Sequence, residues 1–464
     1  MKSLIEPNLA PATEPSRKEA LFHPMIDPKE ADEQTRLIIE RGDGCHVWDS
    51  AGMRYLDTVA SLWNVNVGHN RREVKEAIVR QLDRLAYYST FGNTSNPPAI
   101  ELSNRLIDMF AGIDMSRVLF SSGGSDAVET ALKTARQYWR LEGKPQRTKF
   151  LSLKWGYHGV HIGGTSINGN PVFSDPYGPL LPDCIKVESP YTYRNKWDEP
   201  DPERLAALCV TELDDVIRAC GADTVAAFIA EPVQGAGGVI VPHDSYWPGV
   251  RRVLDKHGVL LISDEIVTGF GRTGSMSGAQ GWGVAPDIMA MAKGINSGYV
   301  PLGVTVLNRR VASAWERPGV PAAFMHGYTY SGHPVACAAA NANLKIVADE
   351  RLPENATTVG GYLLGRLQEF DRYGAVGDIR GKGLMACLEL VKDRETREML
   401  GAPHPYVKTL INVCRENGAI IRLQGNRLIL SPPLVFTTAL VDEAIEILHV
   451  AFQRAEQEAP LANR

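Results

Sequence analysis

The chain has little of what would place it in several large classes of protein. Its seven cysteines (Cys45, Cys184, Cys209, Cys220, Cys337, Cys387 and Cys414) are scattered and form no Cys-x-x-Cys pair. That excludes a zinc ribbon or a thioredoxin-type motif, and the odd count reads as reduced thiols rather than a disulfide framework. Apolar runs are short: VAAFIA at 225–230 is typical, against the roughly 20 residues of a membrane helix. The N-terminus, MKSLIEPNLAPATEPSRKEA, carries proline and glutamate where a secretion signal needs an apolar core. A cytoplasmic location without a membrane partner is expected. Lys and Arg total 49 and Asp and Glu 54, so no excess of positive charge points to nucleic acid. Internal repeats and low-complexity segments are lacking too.

What is there is an ordinary globular composition. The 464 residues are 44% hydrophobic and 22% charged, enough for a large core and, by length alone, for roughly three domains. Residues 1–20 are polar and interrupted by proline, which reads as a mobile arm. From Glu40 to Asp57 the pattern is short and β-like. Beyond it apolar runs alternate with helical periodicity. RVLF (117–120), KFLSL (149–153), TVAAFIAE (224–231), VLLIS (259–263), DIMAMAK (287–293) and LGVTVL (302–307) read as strands. The spacing predicts helices over 125–142, 201–220, 246–258 and about 333–350. The second opens on Asp201 as cap and Pro202 at its first position. Continuous apolar strands alternating with helices predict an α/β fold with a mostly parallel sheet covered on both faces. Residues 376–464 change character: GAIIR (418–422) and RLILS (427–431) alternate as short strands, and an amphipathic helix starts near Thr437. A smaller α+β domain is expected there.

In an open parallel sheet, ligands sit beyond the carboxyl ends of the strands. Beyond RVLF lies SSGGSD (121–126), beyond TVAAFIA lies Glu231, beyond VLLIS lies Asp264, and beyond DIMAMA lies Lys293. Each alone has a bland explanation. A Gly/Ser turn before a helix is usually a cap, an aspartate after a strand is usually a loop residue, and a lysine before glycine is usually exposed. Together they match one chemistry. Pyridoxal 5′-phosphate (PLP) needs a lysine to hold its aldehyde, a carboxylate against its ring nitrogen, and a nest of N–H groups for its phosphate. A displaced lysine is then placed to move the substrate proton.

The run ISDEIVTGFGRTGSMSGAQGWGVAPDIMAMAKGINSGYVPLG (262–303) resembles the signature of class III aminotransferases, PLP-dependent transferases of fold type I. SGGSDAVETA (122–131), WGYHG (155–159), EPVQG (231–235), HGYTYSGHPVACAAA (326–340) and SPPL (431–434) resemble the family's other landmarks. The resemblance implies that Lys293 forms the Schiff base and Asp264 partners the ring nitrogen. It places Tyr157 and Ile266 on the two faces of the ring, and Gly124 and Ser125 on the phosphate. Thr329 is implied to reach the phosphate bound to the neighbouring subunit, which makes the active site shared in a homodimer. Glu231 is implied to be a supporting acid of the cofactor pocket. The implied organisation is an N-terminal segment, 1–70, joining the small domain; a large PLP-binding domain, 71–335; and a C-terminal small domain, 336–464.

Within the family, the apolar Val267 in DEIVTG departs from the glutamine usual in the 4-aminobutyrate and ornithine branches. It is similar instead to the pyruvate-dependent ω-transaminases. That implies an amine or ω-amino acid donor and pyruvate as acceptor. Trp63 in SLWNVNVGH and Tyr88 and Phe91 in YYSTFGNTSNP match positions implied to line the substrate pocket, the latter two from the partner subunit. Phe22 is a candidate for its rim. Arg422 matches an arginine implied to hold the acceptor carboxylate, with Arg427 on the same expected hairpin as its competitor. A 2-oxoglutarate-dependent aminotransferase, an aminomutase and a decarboxylase of the same fold remain alternatives. GFGRTG (269–274) also satisfies the dinucleotide fingerprint G-x-G-x-x-G. It is followed by a loop rather than a helix, and Lys293 stands where that motif needs an acid, which argues against a nicotinamide enzyme.

Overall fold

The structure, a computed structural model, describes residues 20–29, 36–318, 322–401 and 403–461. The arm expected to be mobile lies, apart from Ala20, outside the described residues. Three N-terminal strands, β1 (Ile39–Asp43), β2 (His46–Asp49) and β3 (Arg54–Asp57), form an antiparallel meander. The central sheet follows, built from β4 (Met115–Ser121), β5 (Lys149–Leu153), β6 (Cys184–Val187), β7 (Val225–Ala230), β8 (Leu260–Asp264), β9 (Ile288–Met291) and β10 (Gly303–Asn308). Its order is β4-β10-β9-β8-β7-β5-β6. Pairings from β9 to β6 are parallel, and β10 runs against both neighbours. The expectation of a mostly parallel sheet holds, with one reversed strand that the apolar pattern of LGVTVL did not distinguish.

Each face of this sheet is covered. Ile229, Ile262 and Ile288 pack with Ala127, Val128, Ala131, Leu132, Ala135 and Trp139 of the helix Gly124–Leu141. On the other face Phe228 and Leu261 pack with Leu205, Leu213 and Ile217 of the helix Pro202–Cys220, and with Trp247, Val250 and Leu254 of the helix Tyr246–His257. Alternation of side chains along each strand supplies both apolar faces. The Asp201 side chain accepts the N–H of Arg204 at 2.8 Å, the expected cap.

The C-terminal strands are β11 (Val376–Gly381), β12 (Ala386–Asp393), β13 (Glu398–Met399), β14 (Ala419–Ile420), β15 (Arg422–Gln424) and β16 (Arg427–Leu430). Four of them form an antiparallel sheet in the order β11-β12-β16-β15, and β13 pairs with β12. One expectation fails here, because GAIIR is not a single strand. β14 pairs in parallel with β3, while β15 turns into the hairpin with β16. The break follows from hydrogen bonds made to the other end of the chain. Leu56 N–H donates to the Gly418 carbonyl at 2.7 Å, and the Thr58 hydroxyl to the Ile420 carbonyl at 2.7 Å. Both ends of the chain thus share one sheet. The last helix, Thr438–Glu458, starts where expected, and the Thr437 side chain caps it. Among the described residues, no helix is long and apolar enough to cross a membrane.

Candidate active site

Because β4, β7, β8 and β9 point the same way, their carboxyl ends open on one edge of the sheet. The segments just beyond them enclose a cavity of about 320 Å³. Ser122, Gly124, Ser125, Tyr157, Glu231, Asp264, Ile266, Val267 and Lys293 all line it. The residues expected to hold cofactor, from four separate stretches of sequence, are therefore brought together. Thr329 is the exception.

At one end of the cavity the helix Gly124–Leu141 begins, and its first-turn N–H groups have no carbonyl within the helix to bind. An anion at this spot is stabilised both by those donors and by the helix dipole. Asp126 folds back to accept the N–H of Ser122 at 3.0 Å, and Ser125 Oγ accepts the N–H of Val160 at 3.1 Å, which closes the turn. β10 starts directly against it. A Cβ on Gly303 would stand 2.1 Å from the Gly123 carbonyl oxygen, so only glycine lets the reversed strand pass.

At the other end Asp264 is buried, and His158 Nδ1 lies 2.7 Å from its carboxylate. His158 is itself held by its backbone N–H, which donates to Asn168 Oδ1 at 2.6 Å. His158 is a site residue that the sequence reading missed. The signal was in WGYHG, from which only Tyr157 was taken. A histidine oriented against the carboxylate fixes which oxygen Asp264 presents to the cavity.

Lys293 follows β9 in a left-handed conformation (φ 45°), which turns its side chain from the strand line into the cavity. Burial pulls its amine below the usual lysine range and Asp264 and Glu231 pull it back up, while the Arg422 charge pushes it further down. Glu231 is buried and accepts the N–H groups of Tyr157 at 3.0 Å and Gly235 at 2.8 Å. Burial pushes its carboxyl up to about 7; Asp264 adds to this, and His158 and the two backbone donors oppose it. A folded-state value above the ordinary 4.5 means that the stability contributed by neutral Glu231 is complete below pH 4.5 and lost as pH rises through 7. Glu231→Gln is expected to flatten that decline, on the order of 3 kcal/mol across the window. Denaturant midpoints of both proteins between pH 4.5 and 8 measure it, and equal declines would refute it.

Other expected residues lie elsewhere. Trp63 is 5% exposed, in the core cluster with Val233 and Val239; its neighbour Asn64 lines the cavity instead. Tyr88 and Phe91, each 55% exposed, and Thr329 stand apart from the Lys293 cavity. Phe91 borders a separate groove of about 780 Å³ with Tyr328 and Ser331, and the Thr329 carbonyl accepts the Tyr87 hydroxyl at 2.6 Å. Phe22 is 78% exposed. Arg422, on β15, is half-buried, and among the described residues its guanidinium makes no hydrogen bond or ion pair, although its charge is felt at Lys293. Arg427 is buried, with its guanidinium 4.8 Å over the Trp155 ring. GFGRTG opens no helix. Phe270 and Gly271 instead pair with Met276 and Ser275 across a tight loop, so the setting of a dinucleotide fold is missing.

The arrangement fits PLP: donors for a phosphate, a carboxylate fixed by a histidine for a ring nitrogen, a lysine whose amine burial draws below its usual range, and an aromatic ring. Comparison with known proteins agrees. The family model for aminotransferase class-III matches residues 28–452. A putrescine–pyruvate aminotransferase of Pseudomonas aeruginosa is 40% identical over 429 residues, spanning 91% of this chain and 92% of that protein. The PLP-bound crystal structure of an amine transaminase from an uncultivated Pseudomonas species is 53% identical with a TM-score of 0.93. That match covers 95% of this chain and 99% of that one. A thermostable ω-transaminase variant engineered for enantiopure bulky amines is 37% identical, with a TM-score of 0.89 and coverage of 94% and 97%.

Proposed function

The chain belongs to the class-III aminotransferases, transaminases that use PLP, and from that membership we propose that it moves the amino group of a primary amine or ω-amino acid to pyruvate. The product is alanine and the sequence is ping-pong. When bound, the cofactor supplies the electron sink that makes the carbon next to the amine acidic. The chain's own groups do the rest. Gly124 and Ser125 bind the phosphate through backbone N–H. Asp264, oriented by His158, faces the ring nitrogen, while Tyr157 and Ile266 cover the two faces of the ring. Lys293 Nζ takes the proton from the substrate carbon and returns it one position away, and burial favours the neutral amine that this requires. Glu231 holds the backbone at Tyr157. Thr329, Tyr88 and Phe91 complete the site from a second copy of the chain, their exposed positions away from the Lys293 cavity supporting that reading.

The observation that carries the choice of acceptor is the unpartnered guanidinium of Arg422 beside the cavity. Among the described residues it makes no hydrogen bond or ion pair, its charge acts on Lys293 and Tyr157 of the cavity, and it matches an acceptor with a single carboxylate. A planar fork grips a carboxylate at two points, which a lysine does not. The engineered ω-transaminase was altered at a tryptophan, a phenylalanine and an arginine. Trp63, Phe91 and Arg422 stand at the same mutual spacings, 28 and 331 residues. That supports a substrate-facing role for Phe91 and Arg422; Trp63, though at the matching position, has its side chain packed beside Val233 and Val239, next to Asn64 of the cavity wall.

Arg422→Ala is expected to lower the selectivity for pyruvate over a carboxylate-free aldehyde acceptor by about 10- to 100-fold, the worth of a charge-assisted pair. Alanine formation from a panel of amines, with pyruvate and 2-oxoglutarate compared as acceptors, tests the assignment as a whole. Strong preference for 2-oxoglutarate, or turnover without consumption of any keto acid, would overturn it.

A further inference from the structure

Arg427 sits on the strand paired with the one that carries Arg422: Gln424 lies opposite Arg427, and Arg422 opposite Ile429. It is 4% exposed, and its Nε and Nη2 find no hydrogen-bond partner among the described residues. The carboxylates around it are already engaged. Glu389 accepts Arg194 Nε at 2.6 Å and the Tyr191 hydroxyl, and it lies 2.9 Å from Arg380 Nη1. Asp378 is paired with Arg380 at 2.5 Å. Among the described residues, three guanidiniums thus stand beside two carboxylates, and Arg427 is the one left without an anion.

What Arg427 does have is the Trp155 ring, 4.8 Å beneath its guanidinium. Trp155 stands two residues before Tyr157 and has a left-handed backbone (φ 64°). The contact is built for close approach: a Cβ on Gly238 would come within 2.2 Å of Arg427 Cδ, and Gly238 adopts φ +108°. The Gly238 carbonyl accepts Arg380 Nε at 2.7 Å, and Asn426 Nδ2 donates to the Leu390 carbonyl at 2.8 Å. Asn426 thus clamps the hairpin at its turn, and a charge stacked on an indole ties its second strand to the segment that carries Tyr157.

A buried guanidinium without a partner costs stability, and an apolar side chain of similar volume would fill the place more cheaply. We propose that Arg427 is a positioning residue for the acceptor carboxylate. Stacked on Trp155, it holds the hairpin in register with the Tyr157 segment, so that Arg422 meets the carboxylate by side-chain movement alone. This rests on the reading of Arg422 given above. A planar cation over an indole is directional in a way that an apolar contact is not.

The test is a double-mutant cycle on the holoenzyme with Arg427→Met, Arg422→Ala and the pair, reading kcat/KM for pyruvate and for butanal together with the melting temperature. Arg427→Met is expected to lower the pyruvate-to-butanal selectivity about tenfold in the parent and not at all in the Arg422→Ala background. Its melting temperature should be unchanged or higher, since the unpartnered charge is gone. Arg427→Lys, which keeps the charge but not the plane, should recover part of the selectivity. An equal loss with both acceptors, a lower melting temperature, or a selectivity loss that persists undiminished without Arg422 would overturn the proposal. Should Arg422→Ala itself leave the selectivity intact, the reading of Arg422 fails first, and the positioning role with it.

Discussion

Lys293→Ala is expected to lower kcat by about 10⁴-fold, the upper end of what a positioned proton-transfer group contributes. Among the described residues Lys293 is the one amine lining the cavity, and the charges of Asp264 and Glu231, which line it too, act on it. No other lining residue takes over its role at the substrate carbon. Glu231 is occupied by the N–H groups of Tyr157 and Gly235, and Asp264 by His158. Borohydride treatment of the wild type should leave the cofactor covalently on the chain at Lys293, and in the variant it should not. A variant that keeps a tenth of the activity would remove Lys293 from the mechanism.

The second large effect concerns stability. Arg272, in the loop read as a dinucleotide decoy, is fully buried and has no carboxylate within ion-pairing distance among the described residues. Burial draws its guanidinium down to about 9, with the Asp57 charge opposing this. Nη1 donates to the carbonyls of Leu384, at 3.0 Å, and Pro432, and Nη2 donates to Asn66 Oδ1 at 2.9 Å. One side chain thus ties the loop after β8 to the N-terminal segment and to both flanks of the C-terminal sheet. Unlike Arg427, it leaves three acceptors stranded when removed, each costing about 1–3 kcal/mol in a buried place. Allowing for partial relaxation, Arg272→Ala should destabilise by about 3–5 kcal/mol. Denaturant unfolding measures this, and a loss below about 1 kcal/mol would mean that the carbonyls find other donors.

The two arginines mark how far the sequence can be read. GFGRTG was legible as a motif, but its pattern says nothing of what Arg272 binds, since Asn66, Leu384 and Pro432 are distant in sequence. His158 lay inside a landmark that was recognised, and its partner 106 residues away was not visible. GAIIR looked like one strand because its apolar content is continuous. Its division between two sheets depends on Leu56 and Thr58, some 360 residues earlier. Trp63 was read as pocket wall from its position, and the packing of its side chain beside Val233 and Val239, one residue from Asn64 of the cavity, was not visible there. Lys293 and Asp264, by contrast, lie in one uninterrupted run of about forty residues, where spacing is itself information.

By itself, then, the sequence determined the parallel sheet and which residues gather at its edge. Apolar strands of the right length alternating with helices allow few other architectures, and the residue after each strand must fall on that edge. It did not determine the direction of β10, since a two-residue period reads alike both ways. Nor did it choose between Arg422 and Arg427. Both lie on one hairpin, and what separates them is the indole of Trp155 and the bare backbone of Gly238, brought against only one of the two. Which cation is free to meet a substrate is a property of packing, and packing exists only once the distant segments have met.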